Sequence, residues 1–270
     1  MPARKDGKAR QAGAIAPLSQ FYRERSLEPG RRKGERTRDA LKASTADLLE
    51  KAGYLELRVG DICDGARVSN ALFYLYFKNK TEITYEILVD FLNIFGNALQ
   101  PPARARNRFE SIYWTTLTYT ERFAAQPGLM RCLLQFSDEL PQFGKLRNRW
   151  SQRWLESIVA TLRERGAVDH ASDAQLHVEA VALGAMVDGF LRNLYVERDQ
   201  IVLRWAAEAV PSAIDVAELL SRLWYRAVFG RNPLPKEVAA ARLYPGTPRA
   251  RAPRLTPRGG IRPARAEPGR

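Results

Sequence analysis

The 270-residue chain is expected to be all-α: an N-terminal three-helix unit built around a helix-turn-helix, followed by a larger helical bundle. Three observations predict this. Apolar residues recur at helical spacing from about residue 35 to residue 230, and strand-like alternation is nearly absent. Pro127, Pro141, Gly166 and Pro211 punctuate the repeats as helix stops do. The net charge of +13 is carried by the two ends, with 11 basic and 4 acidic residues in 1–38 and 10 basic and 2 acidic in 231–270.

The ends come first. Residues 1–34 are rich in Arg, Lys, Gly, Ala and Pro without sustained periodicity, and are expected to form a basic, disordered arm. Residues 231–270 hold 8 of the 16 prolines, and a basic, extended tail that forms no helix is expected there. Basic ends on a near-neutral body suit a polyanion such as nucleic acid, and they suit solubilising tails equally well.

Between the ends, Glu35 to Ala52 places Leu41, Thr45, Leu48, Leu49 and Ala52 on one stripe, with Gly53 as the stop. Val59 to Ala66 reads as a short helix that turns Ile62 and Cys63 inward. After a tight turn over Gly65 to Val68, Ser69 stands at an N-cap position. The next helix, Asn70 to Phe77, carries Phe73, Tyr76 and Phe77 on one face and leaves Asn70, Ala71, Tyr74 and Leu75 on the other. Two short helices joined by such a turn make a helix-turn-helix, whose second helix enters the major groove of DNA. The boundaries that follow are a helix-turn-helix domain over 35–80 and a larger helical domain over 81–230. Within the latter, helices are expected near 80–99, 105–125, 128–138, 142–165, 172–198 and 213–229.

From Arg36 to Ile83 the chain resembles the DNA-binding domain of the TetR family of bacterial transcriptional regulators. The residues that carry the resemblance are Arg36, the Gly53-Tyr54 pair, Asp61-Ile62, Val68-Ser69, and the run Phe73-Tyr74-Leu75-Tyr76-Phe77-Lys78-Asn79-Lys80 with Ile83 beyond it. Three positions depart from the pattern: Arg58 stands where a capping Thr is usual, Arg67 where the turn usually has Gly, and Ala71 where Gly often opens the reading helix. The resemblance implies that Tyr74 and Lys80 hold DNA phosphates, with Thr37 doing so from a helix N-terminus. It implies that Ser69 caps the reading helix, and that Asn70, Ala71 and Leu75, with Leu72 beside them, face base edges. The implied protein is a transcriptional regulator, a repressor by default, that binds double-stranded DNA as a homodimer and is released by an apolar or amphipathic small-molecule effector.

The bundle is aromatic, and a stripe of rings serves as core more often than as pocket. The resemblance favours a pocket, and Tyr113, Trp114, Phe136, Trp150, Trp154 and His177 are its expected lining. Thr116, Arg122 and Asn193 are further polar groups able to orient a ligand. Val178 to Leu194 presents small apolar residues (Ala182, Ala185, Gly189), and Val216 to Val228 presents Leu219, Leu220, Leu223 and Trp224. Paired across a two-fold axis these faces would make a four-helix interface, and packed together they would serve one subunit.

Other functions find little support. No nucleotide-binding, metalloprotease or hydrolase motif occurs, and the two histidines, His170 and His177, match no catalytic or metal-ligating constellation. No enzyme activity, cofactor or metal is expected. Cys63 and Cys132 form no CxxC pair and are expected to be reduced, in a cytoplasmic protein. No apolar run is long enough to span a membrane, and the N-terminus lacks the apolar stretch of a signal peptide. The competing expectation is a DNA-coating, nucleoid-associated protein of the same fold with no effector. A footprint separates the two, since a regulator protects a short palindrome and a coating protein binds everywhere within a salt limit.

Overall fold

The computed structural model describes residues 16–99, 105–135, 140–164 and 172–243. All regular structure among them is helical: twelve α-helices and one π-helical turn. The N-terminal unit comprises α1 (Leu18–Leu27), α2 (Lys33–Lys51), α3 (Val59–Ala66) and α4 (Asn70–Tyr74). Behind it lie α5 (Lys80–Ala98), α6 (Arg108–Ala125), α7 (Pro127–Gln135), α8 (Pro141–Glu164) and α9 (Asp173–Leu191). A π-helical turn (Arg192–Glu197), α10 (Gln200–Ala209), α11 (Ala213–Phe229) and α12 (Pro235–Arg242) complete the order.

Local chemistry starts most of these helices. Ser69, Asn79, Asn107, Ser172, Asp199 and Ser212 are N-caps, each accepting a backbone N–H from the first turn with its side-chain oxygen. Arg58 caps α3 with no side-chain bond. Arg67 closes α3 in the left-handed region at φ 58°, which costs a non-glycine residue roughly 1–2 kcal/mol.

Both ends contain more structure than their composition suggests. Residues 18–27, expected to belong to a disordered arm, form α1. Its Leu18 and Tyr22, one helical turn apart, are buried against α2, and the Tyr22 hydroxyl donates to Asp90 Oδ2 at 2.6 Å. Residues 235–242, expected to be extended, form α12. Pro235 occupies its first turn, where no N–H is needed, and Val238 and Ala241 pack with Phe109, Tyr113, Leu117 and Tyr225 of α6 and α11. In both places, contacts with distant residues offset the weak local propensity. Residues 1–15 and 244–270, the remainder of the expected arm and tail, lie outside the described residues.

The main core runs without interruption from the N-terminal unit into the bundle. Leu41 and Leu49 of α2, Ile62 of α3, Phe73 of α4, Phe77, and Ile83, Ile87 and Phe91 of α5 are all at most 2 % exposed. Aromatic pairs continue it through Phe91, Phe95 and Tyr119. The helix α5 is therefore both a wall of the head and a strut of the body.

Candidate nucleic-acid interface and internal cavity

The reading helix is short, and its neighbours hold it firmly. Ser69 Oγ accepts the Leu72 N–H at 3.2 Å. Phe73 is fully buried, and its ring lies 5.8 Å from that of Phe77. Arg38 of α2 seals the other end: its guanidinium lies 4.4 Å from the Phe77 ring centre, donates to the Tyr76 carbonyl at 3.1 Å, and pairs with Glu86 of α5. The preceding α3 lies close to α2 because residue 65 is glycine; a Cβ there would stand 2.2 Å from Ser44 Oγ. Ser44 Oγ itself donates to the Ile62 carbonyl at 2.9 Å.

What this frame turns outward is apolar and aromatic. Leu75 is 78 % exposed and Tyr74 is 59 % exposed, while Ser69, Asn70 and Ala71 are also exposed and Leu72 is half-buried. The helix ends at Tyr74, three residues short of the expected Phe77, and Tyr76 and Phe77 follow in a hydrogen-bonded turn. Arg58, Arg67 and Lys78 are exposed beside it and form no ion pair among the described residues. Sequence reasoning passed over these three cations because two of them register there only as departures from a motif.

Two expected phosphate ligands are placed otherwise. Lys80 Nζ donates to the carbonyls of Tyr54 (3.2 Å), Leu55 (3.3 Å) and Leu57 (2.9 Å), and lies 4.8 Å from the centre of the Tyr54 ring. An ammonium has three donors, and all three are used in bracing the α2–α3 connection. Thr37 is not at a helix start, because α2 begins at Lys33; its hydroxyl donates back to the Lys33 carbonyl at 3.1 Å.

Within the bundle, α5, α6, α7, α8, α9 and α11 line a cavity of about 490 Å³ that is partly open to solvent. Its walls include Phe95, Trp150, Trp154 and Trp224; the Trp150 and Trp154 rings stack 6.2 Å apart, and Phe95 meets Trp150 edge-on at 5.6 Å. Asp188 of α9 and Arg147 of α8 are the charged residues of its lining. Asp188 Oδ1 accepts the Tyr119 hydroxyl, and the two groups form no ion pair with Arg147. Burial raises the Asp188 carboxyl above the usual carboxylate range, against the Tyr119 hydrogen bond and the Arg147 charge, which lower it.

The profile described as bacterial regulatory proteins, tetR family, matches residues 42–87, which run from α2 through the reading helix into α5. The chain is 24 % identical over 231 residues to the HTH-type transcriptional regulator EthR of Mycolicibacterium smegmatis, covering 82 % of this chain and 99 % of that protein. It is 27 % identical over 219 residues to EthR of Mycobacterium tuberculosis, covering 77 % and 95 %. The solved structure of the TetR-family regulator PfmR from Thermus thermophilus superposes with a TM-score of 0.53 at 20 % identity, covering 70 % of this chain and 96 % of that one, a likeness of fold. Residues 42–87 carry the TetR-family DNA-binding unit, and the chain is similar over most of its length to regulators of that family. It is a DNA-binding transcriptional regulator, and its relatives are regulators rather than enzymes.

The cavity shares only part of the lining expected for a pocket. Trp150 and Trp154 line it, as does Thr116. Tyr113 does not: it packs in a separate core with Phe109 and Tyr225, because α12 covers that face of α6. Trp114 is absent from the lining as well. His177 bonds the Asp173 carbonyl one helical turn back at 2.7 Å and is not among the lining residues. Phe136 lies outside the described residues. The missed contributors are Tyr119 and Asp188, whose pairing joins α6 to α9.

A direct joint links cavity to head. Met130, Leu133 and Leu134 of α7 line the cavity, and the N-terminus of α7 abuts the end of α2. Glu50 accepts the N–H groups of Gly128 (2.8 Å) and Leu129 (3.0 Å), filling the role of a cap from another helix. The backbones touch there, since a Cβ on Gly128 would fall 2.5 Å from Glu50 Cα. The two thiols, Cys63 and Cys132, are buried and free; burial pushes Cys132 up to about 12.

Proposed function

We propose that this protein is a ligand-controlled repressor that binds a palindromic operator as a homodimer. The observation that carries the reading is the joint just described: one short helix, α7, both lines an effector-sized cavity and is capped by the helix that holds the reading head. A cavity of this size and apolar character is typical of small-molecule sites. Asn70, Ala71 and Leu75 read base edges with Leu72 beside them, Ser69 caps the helix, and Tyr74 with the exposed Arg67 and Lys78 holds phosphates. The domain division follows the same logic, with the head reading DNA and the remainder of the bundle binding ligand and pairing subunits.

The dimer reading rests on an unpartnered apolar face. On α9, Val178 is 69 % exposed with Ala182 exposed beside it, and Val181 and Ala185, which also line the cavity, are exposed; on α11, Leu219 is also exposed. Exposed apolar area of this kind marks an interface. Two reading helices must then sit one turn of DNA apart, roughly 34–36 Å. An effector that favours a body with another spacing disfavours the DNA-bound state, and DNA weakens effector binding by the same factor. Such a partner places the protein in the cytoplasm, and no helix among the described residues is long and apolar enough to cross a membrane.

The test is selection of bound sites from random DNA with the purified chain, followed by the same selection with Asn70→Ala. The expected result is an inverted repeat whose preference relaxes at one base pair per half-site in the variant, at a cost on the operator of about 1–3 kcal/mol. An unstructured pool, or light scattering that gives the mass of one chain at micromolar concentration, overturns the reading.

A further inference from the structure

The cavity has two charged residues, Arg147 and Asp188, and a lining that is otherwise mainly apolar with scattered hydroxyls. Its lining along α8 runs from Arg147 to Leu162, which at 1.5 Å per residue is about 22 Å of helix. At the end near Arg147 stands Asp188. One of its oxygens accepts the Tyr119 hydroxyl, and the other has no hydrogen bond among the described residues. Arg147 is half-buried, donates to its neighbour Asn148 at 3.5 Å, and forms no ion pair with Asp188. A carboxylate facing an apolar cavity is costly unless an opposite charge or a donor meets it.

We propose that the cavity takes an elongated, amphipathic molecule with a basic nitrogen, its ammonium held by Asp188 and its apolar body laid along α8. The inference rests on the reading of the cavity as an effector site and names the chemistry of that effector. The free oxygen of Asp188 supplies the counter-charge. The rings nearby supply the rest of the seat: Tyr119, with Phe95 edge-on at 5.2 Å, and the stacked Trp150 and Trp154 offer aromatic faces to a cation. An anionic head meets a like charge at Asp188. A neutral alcohol satisfies one hydrogen bond and adds no counter-charge, leaving the carboxylate with only the Tyr119 hydroxyl and the more distant Arg147.

Three probes of equal chain length separate these cases: octylamine, 1-octanol and octanoate, titrated at neutral pH into the full chain with tryptophan emission and calorimetry as readouts. Trp150, Trp154 and Trp224 line the cavity and report its filling. Octylamine is expected to bind at least tenfold tighter than 1-octanol, with octanoate the weakest. In Asp188→Asn, octylamine falls to the level of 1-octanol while 1-octanol itself is unchanged, which also shows that the variant is folded. If 1-octanol binds as tightly as octylamine, if the substitution leaves the amine preference intact, or if octanoate binds best and so assigns the head group to Arg147, the ammonium inference is overturned and the cavity stands as a ligand site. If none of the three probes alters emission or releases heat, the cavity reading itself falls, and the inference falls with it.

Discussion

In the head, the buried carboxylate Asp39 receives Arg31 at 2.9 Å and Arg25 at 3.4 Å, and Lys42 is shared between Glu86 at 3.0 Å and Asp90 at 2.9 Å. In the body, Asp188 has a single hydroxyl partner, Glu121 is raised to about 7 by burial, and the Tyr113 and Thr120 hydroxyls are buried with no partner among the described residues. The difference matches the work of each region. A reading surface loses specificity when it shifts by an ångström, and most of its buried charges are spent on holding α2, α4 and α5 in one geometry, although Arg31 Nε and Thr84 Oγ1 have no hydrogen-bond partner among the described residues. A body that admits a ligand needs space, and Asp188 borders that space, while Tyr113 and Thr120 lie outside its lining and are open to a second conformation rather than to the ligand. If this contrast is right, substitutions in the head break the frame or the contacts it presents, whereas some substitutions in the body relieve it.

The largest expected effect comes from removing the keystone of the frame. Phe77 is 1 % exposed, packs on Phe73 and lies under the Arg38 guanidinium. Phe77→Ala is expected to cost about 3–5 kcal/mol, seen as an earlier denaturant midpoint, with loss of binding to all DNA as the head loosens. An unchanged midpoint would mean that Phe77, in the turn after α4, does not hold the frame together.

Lys80→Ala comes next. It removes charged donors from three carbonyls of the α2–α3 connection and is expected to cost about 1.5–3 kcal/mol of stability. The dependence of DNA affinity on salt should stay the same. Lys78→Ala should do the reverse, leaving stability alone and reducing the log–log salt slope by about 0.9. A reduced slope in Lys80→Ala would return that residue to the phosphate contacts.

Glu121 tests the body. Burial raises its carboxyl to about 7, with the Arg122 charge opposing, against roughly 4.3 for an exposed glutamate. Between those values the folded chain holds a proton that the unfolded chain has released, so stability falls as pH rises from about 4.3 to 7 and levels off above. Glu121→Gln is expected to flatten that part of the profile and to stabilise the protein at pH 8 by about 2 kcal/mol, read from melts across pH. A variant no more stable at pH 8 than the parent would show that the body keeps this charge solvated.

The sequence showed the head better than the body, for a physical reason. Ser69, the left-handed Arg67 and the inward Phe73 and Phe77 are properties of adjacent residues, and spacing along the chain displays them. The helices α1 and α12 are ten and eight residues long, each with little more than one apolar pair, and their stability comes from Asp90, Gln126 and the α6–α11 face far along the chain. Lys80 looked like a phosphate ligand because its type and position matched a motif; only the fold shows three carbonyls converging on it. The lining of the cavity was the least legible part. Asp188 reads as one more charge on a helix until α6 brings Tyr119 to it, while Tyr113, which looked like a pocket residue, is covered by an unexpected α12.

The smallest expected effect is also the narrowest test of the head's outer face. Tyr74 is 59 % exposed, its ring stands edge-on to Phe73 at 5.3 Å, and its hydroxyl has no partner among the described residues. Removing that hydroxyl therefore costs the free protein almost nothing. If it donates to a phosphate, Tyr74→Phe loses one neutral hydrogen bond, about 0.5–1.5 kcal/mol, on operator and scrambled DNA alike. The salt slope should not move, because a phenol displaces no counterion as a lysine does. Affinities for both DNAs at two salt concentrations, with a melt to confirm unchanged stability, decide the matter. A loss confined to the operator would move Tyr74 from the phosphates to a base edge and rotate α4 about its axis relative to the groove, taking Leu75 away from the bases with it.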